Sequence, residues 1–111
     1  MISGNLKNEF MPALANYFVK YIQGYAERGI AIDAVSPQNE TMCDTKGQYP
    51  CCTYPFAQEG VFVRNHLAPA LREAGASTKI WVHDHDPDGS GVARVNNLLA
   101  MPGVKDAVDG I

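Results

Sequence analysis

No stretch of this chain stays apolar long enough to cross a membrane, since a spanning helix needs about 20 consecutive apolar residues. Basic and acidic residues number 9 and 12 and are scattered. That leaves no basic stripe to suit a nucleic acid and no charged tail to favour disorder. The opening residues, from Met1 to Glu9, carry no basic stretch leading into an apolar one, so no signal peptide is expected over them. Cysteine is scarce: Cys43, Cys51 and Cys52 are the 3 in the chain, and they crowd into one loop. An odd number cannot close into pairs, and the second half of a four-ligand zinc site is missing. They read as loop thiols, with room for one disulfide, and no metal is expected there.

What remains is the composition of an ordinary globular domain, with 111 residues, 46% hydrophobic and 19% charged. Residues 3–9 are polar and read as a loop. From Phe10, apolar side chains at Leu14, Tyr17, Phe18, Tyr21, Ile22 and Tyr25 recur at helical spacing, which predicts a helix over about 10–28. Pro12 suits its first turn and Gly29 suits its end. The tyrosines of this helix, Tyr17, Tyr21 and Tyr25, are expected in the core. The short apolar run Ile30, Ile32, Ala34 and Val35 then predicts a buried strand, stopped by Pro37.

Residues 41–57 form a long loop rich in Thr, Gly, Pro and Cys, and loops of that length are often functional. Tyr49 and Tyr54 within it are placed to line a cleft. A second helix follows, with Val61, Phe62, Leu67, Ala70, Leu71 and Ala74 on one side. Pro69 should bend or locally break it. Residues 79–83 make a second strand, 84–91 a turn-rich tip, and about 91–101 a third helix with Val92, Val95, Leu98 and Leu99 as its buried stripe. The last residues, from Ala107 to Ile111, open a further strand. This alternation predicts parallel strands with crossover helices, an α/β fold. So few strands cannot cover both faces of a parallel sheet. The expectation is therefore one incomplete segment, residues 1–111, of a larger α/β domain.

Gln38, Asn39 and Glu40 stand at the carboxyl end of the first strand, where ligands and catalytic groups collect in parallel sheets. Glu40 is the first candidate. A carboxyl held among apolar walls keeps its proton near neutral pH and can give it to a leaving oxygen. A strand-end Glu also serves simply to cap a loop or pair with a lysine, and the sequence leaves both open. Asn39-Glu40-Thr41 is a glycosylation sequon, but a glycan there would block the same pocket.

The run His83-Asp-His-Asp-Pro-Asp-Gly89 invites two metal readings. As a calcium loop begun at Asp84 it puts Val95 where a bidentate Glu belongs, so that match fails. As a His83/His85 pair it resembles the ligands of a metal-dependent hydrolase barrel, with further ligands needed from elsewhere. A polar strand tip facing a substrate cleft accounts for it without metal.

Five blocks in order then resemble glycoside hydrolase family 30, which includes glucosylceramidases and endo-β-1,6-glucanases. They are Asn16-Tyr-Phe-Val-Lys-Tyr-Ile-Gln-Gly-Tyr25, Ile32-Asp-Ala-Val-Ser-Pro-Gln-Asn-Glu40, Asn65-His-Leu-Ala-Pro-Ala-Leu71, Thr78-Lys-Ile-Trp-Val-His-Asp-His-Asp86 and Val108-Asp-Gly-Ile111. The resemblance implies a partial (β/α)8 TIM barrel running from about its third helix to the start of its sixth strand. It implies a retaining β-glycosidase acting on a carbohydrate or glycolipid substrate, glucosylceramide or β-glucan in type, without a cofactor, and secreted or lysosomal. In that reading Glu40 is the acid/base carboxyl and Asn39 hydrogen-bonds the 2-hydroxyl of the sugar. Tyr49 lines the cleft, and Asp84 and His85 touch substrate or the loop that carries Tyr49.

Two departures stand out. Thr41 replaces the proline that usually follows the Glu. The second carboxylate a retaining enzyme needs, roughly 5–5.5 Å from the first, belongs to a later strand than these residues supply. The 111 residues alone are expected to be inactive. The alternatives are the metal-dependent barrel using His83 and His85, and a non-catalytic carbohydrate-binding remnant.

Overall fold

The computed structural model describes residues 4–41, 52–86 and 88–111. Tyr49, Cys43 and Cys51 lie outside them. A short 3-10 turn, Asn8–Phe10, leads into helix α1, Met11–Ala26, with Pro12 in its first turn as expected. Its end is closed by Gly29 at φ 77. The Ile30 N–H then reaches back to the Tyr25 carbonyl at 3.1 Å, capping an otherwise free acceptor.

Strand β1, Ala34–Val35, pairs in parallel with strand β2, Lys79–Ile80. The pairing is longer than this ladder. The Lys79 N–H bonds Asp33 before it, the Trp81 N–H bonds Val35, and an isolated bridge joins Asn39 to Asp84. The bridge keeps the register of the ladder, so the strands part around Pro37, which has no N–H to donate, and close again without a slip. On the far side of β2, Trp81 bridges Gly110, and the Val82 N–H bonds the Gly110 carbonyl at 3.0 Å. The final residues therefore run as a third parallel line, as the alternation predicted.

β1 is half-buried and not the buried strand expected, and Ile30 is half-exposed. Among the described residues β1 is paired along β2 alone, which leaves its other edge open. β2 alternates as a strand should. Ile80 and Val82 point into the helical layer, while Trp81 between them points away and is 50% exposed. The core lies between that helical layer and one face of the strands, around Phe62, Val63, Leu67, Leu71 and Leu98.

The second helical region is continuous but not uniform. Helix α2, Phe56–Phe62, passes through a π-helical turn, Val63–Leu67, into helix α3, Ala68–Glu73. The Ala68 N–H bonds back five residues to the Val63 carbonyl. This wider turn absorbs the local break expected at Pro69, whose ring and missing N–H disrupt ordinary α-helical pairing. Helix α4, Gly89–Ala100, starts on Asp88, whose side chain accepts from the Gly91 N–H.

Three expectations about burial are corrected. Tyr17, Tyr21 and Tyr25 are 67%, 43% and 40% exposed, while Leu14, Phe18 and Ile22 of the same stripe pack on the core beside Met11 and Ala15. The stripe read from the spacing is wider than the face that packs, and its tyrosines fall on the flank. Tyr54 does not line a cleft: it is buried, its ring 6.3 Å from Phe62. The inward stripe of α4 is Gly91, Arg94 and Leu98, with Val92 exposed and Val95 and Leu99 half-buried. An arginine holds a core position because a buried carboxylate faces it.

Candidate active site

The carboxyl ends of β1 and β2 carry most of the candidate residues. Glu40 follows the Asn39–Asp84 bridge, and its backbone N–H donates to the Asp84 carbonyl at 2.6 Å. Glu40 sits at φ 48, in the left-handed region that non-glycine residues seldom occupy. That turn ends the strand and leaves the carboxyl exposed. The apolar walls expected around it are not supplied by the described residues. Asn39 is exposed beside it, and Thr41, next in the chain, is fully buried.

Asp84 is bound to β1 a second time. The Ser36 hydroxyl donates to its Oδ2 at 2.5 Å. Ser36, Trp81, Asp84, His85 and Ile111 are among the residues that line an open groove of about 410 Å³ along the strands. Asn39, Glu40, Asp84 and His85 thus gather at one end of the strands, while Tyr49 lies outside the described residues.

His83 sits at φ 60 and is buried. Its ring packs on the first turn of α4: a Cβ added at Gly91 would lie 2.6 Å from His83 Nε2. The His83 and His85 rings meet edge to face, 6.1 Å between centres. No group of three or more His, Cys, Asp or Glu able to hold a metal occurs among the described residues.

Beneath this tip lies an ion pair that the sequence reading missed. Glu59 of α2 is fully buried and pairs through Oε2 with Arg94 Nη2 of α4. Its other oxygen, Oε1, accepts the backbone N–H of His83 at 3.1 Å. Removing one partner of such a buried pair typically costs about 3–5 kcal/mol, because the other charge is stranded. Nearby, burial pushes the Tyr54 hydroxyl well above the ordinary phenol range, with the charges of Cys52 and Glu59 adding to it. Burial likewise raises the free thiol of Cys52. The one signal available in the sequence was a charged residue on an otherwise apolar helical face, at Glu59 and at Arg94.

Residues 1–97 match the glycosyl hydrolase family 30 TIM-barrel domain. The chain belongs to that family. It is 42% identical over 88 residues to an endo-1,6-beta-D-glucanase of Neurospora crassa, covering 78% of this chain and 18% of that protein. It is 31% identical over 87 residues to the lysosomal acid glucosylceramidase of Mus musculus, covering 73% of this chain and 17% of that protein. A solved endo-beta1,6-glucanase superimposes with a TM-score of 0.87 at 29% identity, over 98% of this chain and 25% of that one. The family 30 chain therefore spans about a fifth of the length of these curated relatives, and it shares the α/β fold of the solved endo-beta1,6-glucanase over nearly its whole length.

Proposed function

We propose that these residues are part of one (β/α)8 catalytic domain of a retaining β-glycosidase, contributing its fourth and fifth strands and the start of its sixth. Glu40 is the acid/base. The observation that carries this reading is its position: an exposed carboxyl at the carboxyl end of a parallel strand, in a family 30 chain, bonded through its own backbone to the next strand tip. Barrel enzymes collect their reacting groups at that end.

In the first step Glu40 gives its proton to the glycosidic oxygen as the bond to the anomeric carbon breaks. A second carboxylate, roughly 5–5.5 Å away and contributed by a part of the barrel outside these residues, attacks that carbon and holds the sugar. In the second step Glu40 takes a proton from water, which displaces the enzyme carboxylate. Asn39 hydrogen-bonds the 2-hydroxyl of the sugar. Asp84 and His85, on the neighbouring strand, touch the sugar or the loop that carries Tyr49, and Tyr49 lines the cleft. A β-1,6-linked glucan is favoured over glucosylceramide as substrate, on the higher identity to the glucanase.

The test is hydrolysis of β-1,6-linked glucose oligomers by the full-length protein and its Glu40→Gln variant. General acid catalysis is typically worth about 10²–10⁴-fold, and a loss in that range is expected. A variant as active as the parent would sink the assignment.

A further inference from the structure

Glu59 and Arg94 form a charged pair inside the helical layer, where an apolar pair of the same size is often as stable or more so. Packing alone therefore gives little reason for it. What the pair does that an apolar one cannot is hold the backbone N–H of His83 on a buried carboxylate oxygen. That N–H belongs to a residue in the left-handed region, at φ 60. Residues held so unfavourably persist only when their surroundings over-determine them.

The turn at His83 has a direct geometric effect. Along β2 the side chains alternate: Ile80 inward, Trp81 outward, Val82 inward. His83 should then point outward and Asp84 inward. Instead His83 is buried beside Val82, and Asp84 emerges on the open face. There its carboxylate takes the Ser36 hydroxyl and its carbonyl takes the Glu40 N–H. Gly91 completes the device, since any side chain at that position would collide with the His83 ring.

We propose that Glu59 and Arg94 are a positioning pair for the acid/base residue. The buried carboxylate fixes the left-handed turn at His83, the turn presents Asp84, and Asp84 sets the backbone of Glu40. This inference rests on Glu40 being the acid/base.

The test uses the full-length protein with the double variant E59M/R94M, which strands no charge, and with Glu59→Gln, which keeps size and an acceptor. Folding is checked by circular dichroism. The readout is kcat/KM on a dinitrophenyl and an alkyl β-glycoside, because it reports the step in which the leaving group departs. A dinitrophenolate departs without a proton, whereas an alkoxide needs one. The double variant should lose roughly 100-fold with the alkyl glycoside, the effect of a misplaced catalytic group, and less than about threefold with the dinitrophenyl one. Glu59→Gln should show the same skew, more weakly.

Equal losses on both substrates would mean a merely structural pair and overturn the proposal, as would no loss in either variant. Glu40→Gln is measured alongside. If it shows the skew and both Glu59 variants do not, positioning alone fails. If Glu40→Gln shows no skew, the acid/base assignment fails and the positioning role falls with it.

Discussion

Glu40 and Asp84 meet through their main chains, the Glu40 N–H donating to the Asp84 carbonyl at 2.6 Å. The acid candidate is thus tied to the tip of the neighbouring strand by its own backbone, leaving its carboxyl unencumbered by that bond. On the positioning proposal, a change at the second strand tip should reach Glu40 through this backbone bond. Much of the behaviour expected of this segment follows from how that tip is held.

Two glycines should respond to alanine with opposite signs. At Gly91 the new Cβ would meet His83 Nε2 at 2.6 Å and the Asp86 carbonyl at 2.7 Å, so backbone must move. Overpacking of this kind costs about 1–3 kcal/mol. Gly24 lies inside α1 with nothing within 4 Å of an added Cβ. Replacing a helical glycine there should stabilise by about 0.5–1 kcal/mol. Urea midpoints of the two variants would check the pair, and a stabilising Gly91→Ala would contradict the packing described at the strand tip.

The elements that position Glu40 were legible in the sequence for local reasons. Gly29 ended the first helix, Pro37 interrupted the strand, and Asn39 to Glu40 fell at its tip. Pro69 announced the break that the π-helical turn absorbs. What could not be read depended on distant partners. A lone arginine on a helix is expected in solvent, and only Glu59, on another helix, brings Arg94 into the core. Nothing local marks His83 as left-handed, since a histidine in a strand is expected to alternate. The tyrosines of α1 share the spacing of the stripe that packs, but Leu14, Phe18 and Ile22 face the core beside Met11 and Ala15, and the tyrosines fall on its exposed flank.

The start of α4 should weaken in acid. Asp88 caps it, accepting the Ser90 hydroxyl at 2.6 Å and the Gly91 N–H at 2.8 Å. The Ser90 bond, followed by that from Gly91, holds its carboxyl below the usual carboxylate range. A depressed value in the folded state means the cap stabilises above the unfolded carboxylate value, about 3.9, and is lost as pH falls through the folded one. Melting the parent and Asp88→Ala across that window tests the sign. The variant should be less stable near neutrality, and the difference should shrink as the solution becomes more acidic. A gap that stayed constant or widened in acid would contradict the cap.

Rescue by azide tests the central claim most directly. In the full-length protein, Glu40→Ala should retain the ability to form the glycosyl-enzyme from a dinitrophenyl β-glycoside, yet turn over slowly for want of a base. Azide needs no base, so it should restore kcat and give the β-configured glycosyl azide, the product of two inversions. An α-configured azide would make Glu40 the nucleophile. No restoration and no azide product would remove it from the chemistry.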